Sequence, residues 1–356
     1  MSGGGLFGVA LPVAAVSLAA VLPAVSLIAA RLGLGGEARR KLVHVALGLV
    51  AVAAPWLFEH PAQVGVLCAG AIALFAVVRL AAFTDGPAAA GAAVLYGVER
   101  RSHGEIYFPL AVALLFALYH DRPAIYVAAI GVLAFGDAAA ALIGRSYGRQ
   151  LYLTAAGWRS LEGTLVLGFV AFLAVHVPVL LLADTTRAEA LLVALVVAIA
   201  APLLEGLSWD GLDNLVLPVG VAVALEALLG LEPTALLGAL VALTGLVAAG
   251  FAFARHLDIA VDGLMLAIVA AALFALEGGL PWLAAALVLF FAPPFLGPRR
   301  KAADVEAAGE REDGPAVAVI AATGMVWLVA ETTAVGAAAL VPYVATLSTH
   351  LACILV

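Results

Sequence analysis

Long apolar segments alternate with short polar ones along the whole chain. About twelve to thirteen of these segments are long enough to cross a bilayer core of roughly 30 Å, which takes a helix of about 20 residues. The segments cover residues 6–30, 42–58, 62–83, 105–119, 123–143, 161–183, 187–204, 214–230, 233–254, 258–276, 279–296, 316–334 and 335–355. This pattern predicts an all-α fold: a polytopic integral membrane helical bundle with about twelve to thirteen transmembrane helices.

The composition excludes an ordinary soluble protein. Hydrophobic residues make up 65% of the chain, charged residues only 12%, and the mean hydropathy is +1.16. A soluble domain needs far more polar surface than this composition provides. Both cysteines, Cys68 and Cys353, lie inside apolar segments, so the sequence predicts neither a disulfide framework nor a cysteine metal cluster.

The basic residues indicate how the chain is oriented. If the first segment runs from outside to inside and each later one crosses once, all seventeen Lys and Arg residues except Arg122 and Arg187 lie on one side. Loops rich in Lys and Arg are typical of the cytoplasmic side. We therefore expect an integral membrane protein, of the cell membrane in a prokaryote, whose functional face is cytoplasmic.

The polar segments that carry candidate chemistry all reach this predicted cytoplasmic face. They are residues 34–44, 96–109, 144–164 and 205–218. Positive loops alone are ordinary in a membrane protein, but they do not explain the acidic residues among them. An acidic side chain at the membrane edge costs several kcal/mol unless it is paired or coordinated, so each is a functional candidate.

Asp137 follows an apolar segment directly, and small residues continue from it at helical spacing. Ala140, Gly144 and Gly148 recur every four residues, which places them on one helix face. One interpretation is close helix packing through a GxxxG pattern. The other is a face without side chains at which a nucleotide approaches the backbone, with its metal held by Asp137. Three arginines nearby would then contact its phosphates: Arg145, Arg149 and Arg159.

A second group of polar residues joins two later apolar segments. Glu205, Asp210, Asp213 and Asn214 offer the hard oxygen donors that Mg²⁺ prefers. A polar hairpin loop would explain them equally simply. Because Asp213 and Asn214 lead straight into the membrane, we favour a functional role for this pair.

The amino-terminal polar segment is basic. It contains Arg39, Arg40, Lys41 and His44, and Lys41 and His44 share a helix face because they are three residues apart. Such residues clamp a phosphate in one interpretation and anchor the helix at lipid headgroups in another. For His44 a further alternative is a polar side chain satisfied inside the bundle.

These motifs together resemble a known family. The pattern from Asp137 to Gly148, followed by "WRSLEGT", resembles the CTP-binding signature of the dolichol kinase and phytol kinase family of integral membrane lipid kinases. The segments "RRKLVHVALG", "HGEIYFPL" and "LLEGLSWDGLDNLVLPVGVA" agree with that family in the same order, over about residues 39–222. One departure is Arg159, which stands where the family usually has lysine.

The resemblance implies a CTP-dependent kinase that phosphorylates the hydroxyl of a long-chain isoprenoid alcohol such as phytol, geranylgeraniol, a polyprenol or dolichol. It implies Mg²⁺ bound by Asp137 and Asp213. The residues expected to be catalytic are Lys41, His44, Asp137, Glu162, Glu205 and Asp213. Those expected to bind CTP are Asp137, Ala140, Gly144, Arg145, Gly148, Arg159, Ser160, Glu162, Gly163 and Asn214.

Two alternatives remain at this stage. A CDP-lipid synthase or a diacylglycerol kinase would also join a nucleotide, Mg²⁺ and a membrane lipid, and a transporter would catalyse nothing. A transporter is less favoured because its charged residues normally lie near the bilayer midplane between related repeats. The expected partners are the alcohol, CTP and membrane lipids, but not nucleic acid, and a homo-oligomer is left open.

The sequence predicts two domains with different roles. Residues 1–232 form the lipid-kinase-like transmembrane domain. Residues 233–356 weakly resemble the membrane family that contains phytyl-phosphate kinase, but residues 348–354 read "STHLACI" where that family has an acidic motif. Without those carboxylates a second magnesium site is not expected, so this half is predicted to be an accessory, non-catalytic transmembrane domain.

Overall fold

The computed structural model of the chain describes residues 31–81, 103–154, 157–208, 210–254, 260–279 and 281–284, together with residues 20, 24, 25, 27–29, 287 and 344. Four of the predicted transmembrane segments, 6–30, 279–296, 316–334 and 335–355, lie wholly or mostly outside these ranges. The predicted loop around residues 299–313 does so as well.

Helices dominate the described residues. They are α1 (Gly36–Val52), α2 (Ala54–Leu57), α3 (Pro61–Ala81), α4 (Gly104–Tyr119), α5 (Pro123–Gly131), a π-helical segment (Val132–Asp137), α6 (Ala138–Tyr147), α7 (Leu161–Leu182), α8 (Arg187–Gly206), α9 (Asp213–Leu228), α10 (Pro233–Phe253) and α11 (Val261–Gly278). A small two-stranded sheet of β1 (Leu151–Thr154) and β2 (Gly157–Ser160) separates α6 from α7. Within the described residues, every predicted apolar segment between residues 42 and 276 coincides with helical structure.

Among the described residues, four helices are long and apolar enough to cross a membrane. These are Pro123–Tyr147, which contains α5, the π-helical segment and α6, and then Leu161–Leu182, Arg187–Gly206 and Pro233–Ala252. Shorter apolar helices occupy Pro61–Val77, Gly104–Tyr119 and Val261–Leu276. The predicted all-α polytopic membrane fold is therefore confirmed, while the total of twelve to thirteen spans stays a prediction.

Helix α1 differs at both ends from the predicted segment 42–58, the second along the chain. It begins at Gly36 instead of residue 42 because Glu37 and Arg40, three residues apart, form an ion pair of 2.7 Å that extends the helix in the polar region. It breaks after Val52, two residues before the turn containing Pro55. Proline has no N–H with which to continue the helical hydrogen bonds, so a short separate helix follows.

The described residues form two compact units. One comprises the residues up to Leu151 together with Arg159–Leu231, and its centre is α7, which packs against α5, α6 and α8. Every fourth residue of α7 is buried in that packing: Gly163, Leu167, Ala171, Val175 and Val179. Its opposite face is apolar and exposed, as expected of a surface that contacts lipid: Leu165, Phe169, Leu173, Val177 and Leu181.

The other unit comprises Tyr152–Trp158 and the residues after Leu231. Among its described elements α10 and α11 pack against each other. The buried face of α11 includes Leu264, Met265 and Ile268. Gly250 of α10 allows the close approach, because a Cβ atom there would lie 3.0 Å from Ile268 Cδ1.

Candidate active site

The Lys41–Asp137 pair lies at the centre of the site. Asp137 is the last residue of the π-helical segment, and the two oxygens of its carboxylate both lie 2.6 Å from Lys41 Nζ on α1. Asp137 is 5% exposed and Lys41 is 3% exposed, so the pair is almost fully removed from solvent. The structure thus brings together two predicted catalytic residues that are 96 positions apart in sequence.

His44 lies one turn after Lys41 on the same face of α1. Its Nε2 atom is 3.2 Å from the carbonyl oxygen of Leu133, within the π-helical segment, and 3.6 Å from Asp137 Oδ2. Its ring meets Phe108 of α4 edge-on, with 5.2 Å between ring centroids. One turn further, Gly48 lies so close to Ala134 that a Cβ atom at Gly48 would overlap the Ala134 side chain.

The start of α1 is itself electrostatically stabilised. Glu37 precedes the membrane segment and pairs with Arg40. Burial by itself raises the pKa of the Glu37 carboxyl, but the hydrogen bond and the charge of Arg40 outweigh it and lower the pKa below its usual value. Arg40 also attracts Asp137 and Asp213 electrostatically.

A second ion pair, less deeply buried, joins β2 to the end of α8. One nitrogen of the Arg159 guanidinium, Nη1, donates to the Glu205 carboxylate, and Nη2 donates to the backbone oxygen of Glu205 at 3.2 Å. Glu205 is 6% exposed. The sequence predicted both residues for the site but assigned Arg159 to phosphate, whereas the structure shows it holding Glu205.

Asp213, at the first residue of α9, completes the cluster. Electrostatic repulsion acts between each pair among Asp137, Glu205 and Asp213, whereas Lys41 and Arg159 attract Asp213. We call the six residues Lys41, His44, Asp137, Arg159, Glu205 and Asp213 the charged cluster. Within the described part of the chain, no hydrogen bond or ion pair engages the Asp213 side chain, so its carboxylate is available to a ligand.

The donors of this region fit a bound Mg²⁺ ion. Among the described residues no group of three His, Cys, Asp or Glu side chains is arranged to hold a metal. Mg²⁺, however, is usually held by one or two carboxylates together with phosphate oxygens and water. Asn214 adds an oxygen: it is 7% exposed, and its buried Oδ1 finds no hydrogen-bond partner in the described structure. The predicted metal pair of Asp137 and Asp213 stays a prediction.

The predicted nucleotide strip is closely packed. A Cβ atom at Gly144 would lie 2.9 Å from Ser160 Oγ, and one at Gly163 would lie 2.8 Å from the Ala140 carbonyl oxygen. Gly148 is equally tight against Ser160, which caps α7 by accepting a hydrogen bond from the Gly163 N–H at 3.1 Å. Helix packing therefore accounts for these small residues, and their contact with CTP stays a prediction.

The remaining predicted residues lie around the connection between α6 and α7: Arg145 in the last turn of α6, Arg149 between α6 and β1, and Glu162 in the first turn of α7. Glu162 accepts hydrogen bonds from the backbone N–H groups of Arg149 at 3.0 Å and Gln150 at 3.4 Å, so its carboxylate fixes this loop. The Arg145 and Arg149 residues are exposed. Their predicted phosphate contacts would therefore have to form at the surface.

Other contacts near the site were missed by sequence reasoning. Arg79 pairs with Glu105 at 2.9 Å, and the N–H of His103 donates to the Asp210 carbonyl oxygen at 2.9 Å. The sequence suggested the Asp210 carboxylate as an oxygen donor for Mg²⁺. In the structure its side chain is exposed and its backbone has a positive φ of 52°. Only an Asp-Gly turn signal in the sequence, at Asp210 and Gly211, indicated this conformation.

The fold and the charged cluster define a class: a helical membrane protein whose helices bring several charges together, with two ion pairs among them. No model of a protein family matches the chain, and no solved structure matches it. The chain is 36% identical to the phytol kinase of Synechocystis sp. over 219 residues, which are 60% of this chain and 89% of that protein. The protein belongs to the phytol kinase family. The resemblance predicted from the motifs is confirmed, and with it, at the level of the family, an isoprenoid-alcohol kinase.

Proposed function

We propose that this protein transfers a phosphoryl group from CTP to the hydroxyl of a long-chain isoprenoid alcohol. The observation that carries the proposal is the charged cluster, which gathers three carboxylates and three nitrogen-bearing side chains in a member of the phytol kinase family. Burying such charges among membrane helices is costly, so they are normally retained for function.

The setting suits a lipid alcohol. Its apolar tail remains among lipid and the exposed apolar faces of the helices, while its hydroxyl reaches the polar end where the cluster lies. The concentration of Lys and Arg in the loops on this side supports a cytoplasmic face, where CTP is available. In a prokaryote, this would be the cytoplasmic face of the cell membrane.

The chemistry requires mainly positioning and charge stabilisation. A bond forms between the alcohol oxygen and the terminal phosphorus of CTP, the bond from that phosphorus to the CDP oxygen breaks, and the hydroxyl proton leaves to a carboxylate or to water. Mg²⁺, when bound, neutralises phosphate charge. Asp137 and Asp213 would hold it, with Asn214 Oδ1 as a further oxygen donor.

Lys41 and Arg159 supply positive charge to the site. In the described structure each is engaged by a carboxylate, Lys41 by Asp137 and Arg159 by Glu205. These pairs hold the cations in place before a substrate arrives. Phosphate oxygens would compete with the carboxylates for the same N–H donors.

The residues after 232 are proposed to be an accessory membrane domain. Their acids are dispersed along the sequence, and the acidic motif of phytyl-phosphate kinases is missing near residues 348–354. A second kinase reaction, from monophosphate to diphosphate, would need its own carboxylates for Mg²⁺.

Position-specific labelling of CTP tests this function. The purified protein in lipid nanodiscs would receive phytol or geranylgeraniol, or in parallel diacylglycerol or phosphatidate, together with Mg²⁺ and CTP labelled at either the γ- or the α-phosphate. We expect γ-label in the lipid product and none from α-labelled CTP. Transfer of α-label would identify a CDP-lipid synthase instead, and labelling of diacylglycerol in place of the alcohols would identify a diacylglycerol kinase. Absence of transfer from both labels would contradict the proposal.

A further inference from the structure

His44 has contacts that suit a structural task within the site. Its Nε2 is 3.2 Å from the Leu133 carbonyl oxygen, and its ring packs edge-on against Phe108. A carbonyl oxygen can only accept a hydrogen bond, so Nε2 must carry the hydrogen and donate it. This nitrogen is therefore occupied by the backbone and is not free for a phosphate.

The acceptor of this bond lies in an unusual part of the helix. Residues Val132–Asp137 form a π-helical turn, which is wider than an α-helical one, rare, and frequent at functional sites. Asp137 is the last residue of the turn. The direction in which its carboxylate points therefore depends on how the turn is held.

Neighbouring helices clamp the turn on both sides. From α1, Gly48 allows contact with Ala134, and from α7, Leu167 lies where a Cβ atom at Gly136 would be only 2.6 Å from its Cδ1. These contacts are apolar. They fix how closely the neighbouring helices approach the turn, but they do little to fix the rotation of the turn about its helix axis. In the described structure the His44 bond to Leu133 is the polar contact that joins α1 to the backbone of the turn.

We propose that His44 is a positioning residue, whose Nε2–H bond to the Leu133 carbonyl holds the π-helical turn so that Asp137 meets Lys41. His44 and Lys41 lie three residues apart on α1, so one helix face both fixes the turn and binds the carboxylate it presents. The inference rests on the proposed function only in taking Asp137 as part of the active site.

Two substitutions at His44 separate positioning from chemistry. His44→Gln keeps an N–H donor of similar reach but loses the imidazole, whereas His44→Leu keeps the volume and loses the donor. We expect kcat to fall about tenfold to a hundredfold in His44→Leu, as for residues that orient a catalytic group. KM for CTP should change less than about threefold, and His44→Gln should recover most of kcat.

Hydrogen–deuterium exchange provides a readout that does not depend on catalysis. Amide exchange in a peptide covering residues 132–138 should be faster in His44→Leu than in the wild type, because the turn opens more readily. His44→Gln should exchange like the wild type. A matched control is His176→Leu in α7, where the histidine stacks on Phe172 at 5.3 Å and should leave this peptide unchanged.

The results for these variants distinguish a positioning role of His44 from a chemical role of its imidazole. If His44→Gln is as inactive as His44→Leu while its exchange is normal, the imidazole acts chemically and the proposal is wrong. Unchanged exchange in His44→Leu would also overturn it. If His44→Leu does not fold, His44→Asn replaces it, because this side chain is too short to reach Leu133 and should lose kcat likewise. If the wild type transfers no phosphate, the proposed function fails and the exchange result alone decides the role of His44.

Discussion

The two ends of α9 carry the same kinds of side chain in opposite surroundings. At its start, Asp213 belongs to the charged cluster, in which the Lys41–Asp137 pair is almost wholly buried. Near its end, Glu226 accepts hydrogen bonds from the Tyr119 hydroxyl at 2.5 Å and from Arg122 at 2.8 Å. There the Arg122 and Glu226 side chains are 42% and 53% exposed.

The difference indicates which ion pairs could be removed with little effect on stability or activity. An exposed ion pair contributes about 0–1 kcal/mol and is ordinary at a surface. A buried pair is often no more stabilising than apolar residues of the same size, so stability alone does not explain its presence. We call Tyr119, Arg122 and Glu226 the far-end triad. It ties α4, α5 and α9 together, whereas the charged cluster is suited to catalysis.

The largest expected effect is that of Lys41→Met. Removing the ammonium leaves Asp137 as an uncompensated buried carboxylate, which should destabilise the protein by about 3–5 kcal/mol and abolish phosphoryl transfer. Thermal unfolding in detergent and the transfer assay measure the two effects. The double variant Lys41→Met with Asp137→Leu should regain stability but remain inactive; a double variant that regains activity would contradict the catalytic role of the pair.

Arginine-to-lysine exchange compares the two ends directly. Arg159 uses two nitrogens on Glu205, one to its carboxylate and one to its backbone oxygen, and a lysine ammonium cannot reproduce both contacts. Arg159→Lys should reduce kcat/KM for CTP by roughly tenfold. Arg122→Lys is the matched control at the far-end triad and should leave kcat/KM within about twofold. Equal losses in both variants would remove the distinction between the ends.

Packing of the small-residue strip gives a smaller effect, on stability. In Gly144→Ala the new Cβ would lie 2.9 Å from Ser160 Oγ, and this overpacking should cost about 1–3 kcal/mol in thermal unfolding. The control is Gly70→Ala in α3, where no atom lies within 4 Å of the new Cβ and no loss is expected. A Gly144→Ala variant that is stable but no longer binds CTP would favour the nucleotide role over packing.

The smallest effect is expected from Glu226→Gln. The pair it breaks is half exposed, and the amide can still accept from the Tyr119 hydroxyl, so unfolding should shift by less than about 1 kcal/mol. Turnover should match that of the wild type. A Glu226→Gln variant with strongly reduced turnover would show that the far-end triad takes part in function.

Local sequence patterns were sufficient to predict the helices between residues 42 and 276. A run of apolar residues is a local signal that can be read from consecutive positions, and each of those segments is helical where the structure describes it. The π-helical turn before Asp137 was not predicted, because a single widened turn leaves the apolar pattern intact. The β1–β2 hairpin was missed because it is short and lies in a segment assigned to a polar loop.

Candidate residues could be predicted individually, but most of their pairings could not. Asp137 was identified as an acid directly after an apolar segment and Lys41 as part of a basic segment, yet their direct contact spans 96 positions and leaves no local pattern. The pairing of Arg159 with Glu205 was not predicted, because the sequence placed Arg159 near the phosphates of a nucleotide and the two residues are 46 positions apart. The contact of His44 with a backbone carbonyl has no signature, since it does not depend on the identity of Leu133.

The most direct test of the account is single-turnover transfer from γ-labelled CTP to phytol or geranylgeraniol by Asp137→Asn. The amide keeps the size of the carboxylate but loses its charge, so it should bind Mg²⁺ poorly and no longer attract Lys41. We expect the folded variant to transfer phosphate at least about a hundredfold more slowly than the wild type, as when a group stabilising transition-state charge is removed. A variant with near-normal single-turnover transfer at limiting Mg²⁺ would contradict the claim that the charged cluster is the catalytic centre.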